Sequence, residues 1–203
     1  MKVQGNMQSH FEALRSDLLH TGMVENASLS MGTVLNMGWW STDAYTWPGK
    51  LADKNIDITN EQVTASYFAT TGMTIVEGRA FASDTHAEDN NIVINESMAK
   101  LIGPYAKPGN IIHMGDRNLT IIGILHDFVY DNAYSTSAAP MVIYGEPEGA
   151  SYMEVRLKPG VDIAAAMTRI GTIMRTQNPG YPFEYQFMDE QSPSPCSPSA
   201  FKP

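Results

Sequence analysis

The side chains best suited to chemistry are five histidines, His10, His20, His86, His113 and His126, one of which precedes an acid at His126-Asp127. A histidine beside a carboxylate suggests a general base with its orienting group. That chemistry needs a nucleophile. No Gly-x-Ser-x-Gly elbow, His-Glu-x-x-His helix or Cys/His pair accompanies it. Neighbours along an extended chain also point to opposite faces, so a structural role is expected for His126 and Asp127. Asp84, His86, Glu88 and Asp89 bring acids and a histidine into one short loop. They lack the Asp-x-Asp-x-Asp-Gly spacing and distal Glu of a calcium loop, and a solvated loop is the expectation. The absence of a Gly-x-x-x-x-Gly-Lys-Ser/Thr stretch argues against nucleotide hydrolysis by this chain. No residue earns a catalytic, cofactor-binding or metal-binding assignment.

A different kind of candidate lies between Gly38 and Lys50, where Trp39, Trp40, Tyr45 and Trp47 crowd a stretch punctuated by Pro48-Gly49. Aromatics gathered in a loop can present a flat platform to a glycan, a peptide or a partner protein. The competing expectation is that they cover the end of a core. These four residues form the candidate partner or ligand surface, and with it comes a rival reading of the chain as a free-standing secreted binding module.

Bulk properties narrow the field. The chain has 203 residues, enough for one domain or two small ones. Its formal net charge of −9 argues against a nucleic-acid partner and against docking on an anionic membrane through a basic face. The single cysteine, Cys196, supports neither a disulfide framework nor a thiolate metal site. No run of apolar residues is long enough to span a bilayer, and Met1-Lys2-Val3-Gln4 leads into a polar amphipathic stretch rather than a signal peptide. The chain as written is therefore expected to be soluble, which leaves room for its having been excised from something larger.

The elements that must position these residues follow from periodicity. Met7, Phe11, Leu14 and Leu18 are spaced for one face of a helix over 6–20. Met23–Met31 and Ile56–Thr64 alternate as strands, Tyr67–Thr71 has room for one helical turn, and Gly72 lets the chain reverse. Ile92–Asn95 is a short buried strand, with Asn95 or Ser97 as cap of a helix that Gly103-Pro104 ends. Ile111–His113 and Leu119–Leu125 make a hairpin, and Ile121–Leu125, apolar on both faces, is expected to be the most buried strand. Met141–Tyr144 and Tyr152–Leu157 are further strands. Asp162 caps a helix through Gln177 whose apolar face is Ile163, Met167, Ile170 and Met174, and Phe183–Met188 reads as a closing strand. Gln191–Pro203 is Ser/Pro-rich and reads as disordered or foreign to the domain.

The order of the motifs resembles the periplasmic core domain of MacB-type ABC transporter permeases, in the family that includes FtsX-like and lipoprotein-release permeases. The resemblance runs through Trp47-Pro48-Gly49-Lys50, Tyr67-Phe68 to Gly72, Glu77-Gly78-Arg79-Ala80-Phe81 and Ile92-Val93-Ile94-Asn95-Glu96. It continues through Gly109-Asn110-Ile111-Ile112, Ile121 to Phe128, Pro140, Val155 to Gly160 and Phe183 to Asp189. It implies an α+β fold: a Porter-like two-layer α/β sandwich from both chain halves, 1–77 and 147–190, with a small mixed α/β Sabre-like subdomain inserted at 78–146. It implies placement outside the cytoplasmic membrane, between two membrane helices that this sequence lacks. It also implies a mechanical rather than enzymatic role. The implied partners are an ABC ATPase, a second permease copy, and a periplasmic adaptor with an outer-membrane channel.

Overall fold

The computed structural model describes residues 1–34, 36–50, 56–84, 86–128 and 138–188. The tail with Cys196 lies outside the described residues. In chain order the elements are α1 (Phe11–His20), β1 (Val24–Ser30), β2 (Trp39–Thr42), β3 (Tyr45–Thr46), β4 (Asp57–Gln62), α2 (Tyr67–Thr71) and β5 (Ile75–Gly78). They continue with β6 (Asn91–Asn95), α3 (Glu96–Ile102), β7 (Ile111–Met114), β8 (Arg117–Leu125), β9 (Met141–Tyr144), β10 (Tyr152–Leu157) and α4 (Ile163–Gln177).

Two sheets share the chain. β1 and β10 pair antiparallel, and α1 and α4 supply apolar side chains to a core that includes Leu14, Leu18, Leu29, Met153, Ile170 and Met174. This is the expected two-layer α/β sandwich. The larger sheet runs β2-β4-β9-β6-β8-β7-β3, with β5 paired to β8. β4/β9 and β6/β8 are parallel and the remaining pairs antiparallel. Its end strands, β2 and β3, are separated in sequence only by Asp43-Ala44. Two residues cannot span a flat sheet of seven strands spaced about 4.8 Å apart. The sheet therefore curls until its ends meet, and Asp43 makes the corner at φ 57°.

Curling gives the central strands two buried faces. Ile92, Ile94, Ile121, Val142 and Tyr144 point into the curl, where Met98 and Ile102 of α3 join them. Val93, Ile122, Leu125, Met141 and Ile143 point outward onto Tyr67 and Phe68 of α2. Burial on both faces is why β8 and β9 read as continuous apolar runs. Asn95, itself fully buried, ties the layers together. Its Oδ1 accepts from the Met98 amide, capping α3, and from the Met141 amide, while Nδ2 donates to the Ala139 carbonyl. The β7–β8 hairpin turns on Gly115-Asp116, with Gly115 at φ 56°.

Three expectations from the sequence need correction, on Gly38–Lys50, the α4 face and Phe183–Met188. Gly38–Lys50 is not all loop, because pairing with β4 and β7, distant in sequence, makes strands of Trp39–Thr42 and Tyr45–Thr46. The large sheet draws strands from both sides of residue 78: β3, β4 and β5 pair with β7, β9 and β8, and β2 joins through β4. On α4, Ile163 is 55% exposed, and the buried face is Ala166, Ile170, Gly171 and Met174. Phe183–Met188 forms no strand. It follows a turn at Asn178–Tyr181 that is tied to Gln4, and the N-terminal segment there makes a single bridge, Lys2 to Tyr152. Phe183, Tyr185 and Phe187 instead contact one another, with ring centroids 5.3 and 5.4 Å apart.

Truncating Ile94 to alanine is expected to cost about 2–5 kcal/mol of stability through a cavity inside the curl. The same change at exposed Ile163 should stay within about 0.5 kcal/mol. Urea unfolding of the two variants measures the difference.

Candidate interface and the buried acids at the sheet junction

The four aromatics do not share a surface. β2 alternates in and out, so Trp39 stacks on Tyr144 with centroids 6.1 Å apart while Trp40 stands 70% exposed. Tyr45 is fully buried, its hydroxyl bonded to Asn60 Oδ1 and the Tyr144 hydroxyl. Burial and the neighbouring Tyr144 push the Tyr45 phenol far above its ordinary range, and burial carries Tyr144 up to about 12. Trp47 closes the same core beneath Lys50, whose ammonium lies 5.1 Å from the ring centroid and 2.5 Å from Asp43 Oδ1. Of the four residues, Trp40 alone is open to a partner.

His126 and Asp127 act as fasteners. The His126 ring is 2.9 Å from Glu96 Oε2, which also accepts from the Asp127 amide. Asp127 accepts from the Ser97 amide at 2.9 Å and the Ser97 hydroxyl at 2.8 Å. A hydroxyl is thus present, but it donates to the acid and not to the imidazole. These bonds pin the end of β8 to the first turn of α3, where carboxylates suit the helix dipole.

The acidic loop is also structural. Glu88 is buried, contrary to the expected solvated loop, and accepts from the Ala82 amide, Asn91 and Arg79. Burial alone would raise its pKa, but these donors hold the carboxyl below its ordinary value. Among the described residues no three His, Cys, Asp or Glu side chains gather in a metal-binding cluster, and no helix is long and apolar enough to cross a membrane.

The most unusual polar chemistry lies where the two sheets meet, and the sequence reading missed it. β1 runs into β4 through the Ser30–Val63 bridge, and the Met31 amide donates to the Gln62 carbonyl. Glu61, fully buried on β4, accepts from the amides of Met31 (2.8 Å), Gly32 (3.0 Å) and Gln62 (3.1 Å) on Oε1, and of Gly38 (2.7 Å) on Oε2. It thereby gathers both ends of the β1–β2 connection. Burial still pushes its carboxyl above the ordinary range against these four donors. Gly38, at φ 26°, approaches so closely that a Cβ would lie 1.7 Å from the Asn60 carbonyl oxygen. A second acid, the half-buried Glu154 of β10, accepts from Ser30 Oγ at 2.6 Å and Ser28 Oγ at 3.4 Å. Burial pushes Glu154 up to about 7. Tyr67 presents a fully buried hydroxyl with no hydrogen-bond partner among the described residues, within electrostatic reach of both acids. The signal in the sequence was acids at strand positions, Glu61 and Glu154, where alternation alone does not say which face is dry.

Replacing Glu61 by glutamine sets an NH2 against amide donors. The variant is expected to lose about 1–3 kcal/mol for each donor left unsatisfied, measured by urea unfolding.

Known proteins share this architecture. The family model of the MacB-like periplasmic core domain matches residues 22–173. The fold is similar to that of the periplasmic region of MacB from Actinobacillus actinomycetemcomitans, with a TM-score of 0.54 and 15% identity over 82% of this chain and 73% of that one. It is also similar to the extracellular domain of the ABC-type transporter YknZ from Gram-positive bacteria, with a TM-score of 0.52 and 16% identity over 82% of each chain. No curated protein matches the chain by sequence. At these identities the structural likeness is one of fold. The family match covers most of the chain, with β1 near its start and α4 at its end, and this chain belongs to the MacB-like periplasmic core domain family.

Proposed function

We propose that this chain is the extracytoplasmic domain of a MacB-type ABC transporter permease and works without chemistry of its own. It passes ATP-driven movement of the membrane helices to the export of substrate, or to signalling, outside the membrane. The observation that carries this reading is mechanical. The small sheet with α1 and α4 has its own core, and the large curled sheet packs a core on each face. The chain passes to the large sheet after β1 and returns between β9 and β10, with Glu61–Thr64 hydrogen-bonded to the first crossing at Ser30–Gly32. Both limits of the family match, residues 22 and 173, fall in the small-sheet lobe. Force delivered through that lobe reaches the large sheet across the junction.

In this reading the ATPase resides in a separate cytosolic subunit or domain, and the permease acts as a homodimer. A periplasmic adaptor leading to an outer-membrane channel is the further proposed partner. Within the aromatic candidates, contact with such a partner rests on Trp40, because Trp39, Tyr45 and Trp47 are committed to the core.

Two measurements test this. Met31 and Gln62 face each other across the junction beside the Ser30–Val63 bridge, and opposed antiparallel residues lie within disulfide reach. In the parent permease, oxidised M31C/Q62C should hydrolyse ATP while export or signalling stops, and reductant should restore it. Unchanged output after oxidation would overturn the mechanical reading. W40A should leave stability within about 0.5 kcal/mol while weakening adaptor or permease association in pull-down. Unchanged association removes Trp40 as the contact.

A further inference from the structure

The hydroxyl of Ser30 lies 2.5 Å from the Gly32 carbonyl oxygen and 2.6 Å from Glu154 Oε1. A serine hydroxyl carries one proton, and a carbonyl oxygen carries none. One hydroxyl proton cannot make a full two-centre hydrogen bond to both oxygens, and a protonated Glu154 carboxyl supplies the second proton that such a pair of bonds needs. The protonated acid then donates to Ser30 Oγ, and Ser30 donates to Gly32. This relay links β10 through the end of β1 to the same loop that Glu61 holds from β4.

We propose that Glu154 is a proton-operated latch at the junction of the two sheets, closed when the acid is protonated and released when it ionises. On ionisation the Glu154 proton leaves to solvent. The Ser30 hydrogen turns from the Gly32 carbonyl to the carboxylate, and that carbonyl loses its donor. The new charge also lies within electrostatic reach of Glu61, so two carboxylates then oppose each other at the junction. The proposal concerns the domain itself and holds whatever cargo or signal it serves.

The surroundings favour the protonated state. The charged or titratable groups facing Glu154 are Glu61 from β4, Tyr67 from α2, and the Met1 ammonium, which donates to the Met153 carbonyl at 2.8 Å. Of these only the ammonium favours the carboxylate. Arg156, two residues along β10, turns its Nε to the Thr70 carbonyl at 2.5 Å. Burial dominates and carries Glu154 to about 7, against about 4.3 for a glutamate in the unfolded chain. Between these values the folded chain holds a proton that the unfolded chain has lost. Glu154 therefore makes stability fall as pH rises through that window.

The test follows one carboxyl and one loop. With 13C-labelled glutamate, NMR of this chain should show a side-chain carboxyl titrating near pH 7 that is missing from E154Q. Hydrogen-exchange protection of the Gly32 amide, corrected for intrinsic rates, should fall across the same midpoint. E154Q should lose that pH dependence, and so should S30A, which keeps the acid but cuts the relay. If no glutamate of the wild type titrates above about pH 6, the latch does not exist. If one titrates but Gly32 protection does not follow it, or S30A behaves as the wild type, the proton is not coupled to the junction and the proposal is overturned. The wild-type titration and S30A decide the matter even if E154Q fails to fold.

Discussion

One carboxylate holds the two parts of this fold in register. Glu61 sits where the large sheet begins to leave the small one, and it accepts amides from both ends of the β1–β2 connection. A buried charge is costly unless it is hydrogen-bonded on all sides. Here the acceptor capacity of the carboxylate is matched by four backbone donors, of which the Met31 amide is shared with the Gln62 carbonyl. The arrangement leaves no room for side chains, which is why glycine stands at positions 32 and 38. At either one, a Cβ would meet backbone atoms at 2.4 Å or less.

From that point the architecture follows. Turned back by Glu61, the chain enters β2 along the edge of β4 and must then reach β3 at the opposite end of the sheet through Asp43-Ala44. Covalent continuity curls the sheet, and curling creates an interior that Tyr45, Tyr144 and Asn60 fill with a hydroxyl network rather than with hydrocarbon alone. The outer face is then free to receive α2, which also contacts β1 and β10 and so wedges between the sheets. The small-sheet core and the two faces of the large sheet thus have different partners, with α2 and the polar Ser30–Gly32 segment between the sheets. Residues that looked reactive in isolation, His126 with Asp127 and the acids near Glu88, serve to fasten loops to helices and strands.

Much of this was legible in the residues. The helical spacing of Phe11, Leu14 and Leu18 and the cap at Asp162 name α1 and α4. Gly115-Asp116 locates the hairpin, and the run Ile121–Leu125 announces a strand dry on both faces. These signals are local: periodicity, capping and turn chemistry act within a few residues. The failures share a different cause. Trp39–Thr42 becomes a strand only because β4 offers it an edge, and Phe183–Met188 does not because no ladder forms beside it. Ile163 fits the apolar stripe of α4 by spacing and yet faces solvent at the first turn.

The sequence by itself determined the class of molecule: an acidic α+β domain without a nucleotide loop or nucleophile motif, whose ordered motifs resemble MacB-type periplasmic core domains. Those properties reside in composition and in short patterns. Only the tertiary structure decided which aromatic remains exposed, that the sheet closes upon itself, and that Glu61 and Glu154 lie within electrostatic reach of each other. Such facts depend on which distant segments share an edge or a face, and on the desolvation that follows. Strand alternation specifies two faces but does not say which of them another layer will cover. The candidate aromatic stretch is thereby reduced to Trp40, and the functional interest moves to two acids whose chemistry exists only because the fold has dried them.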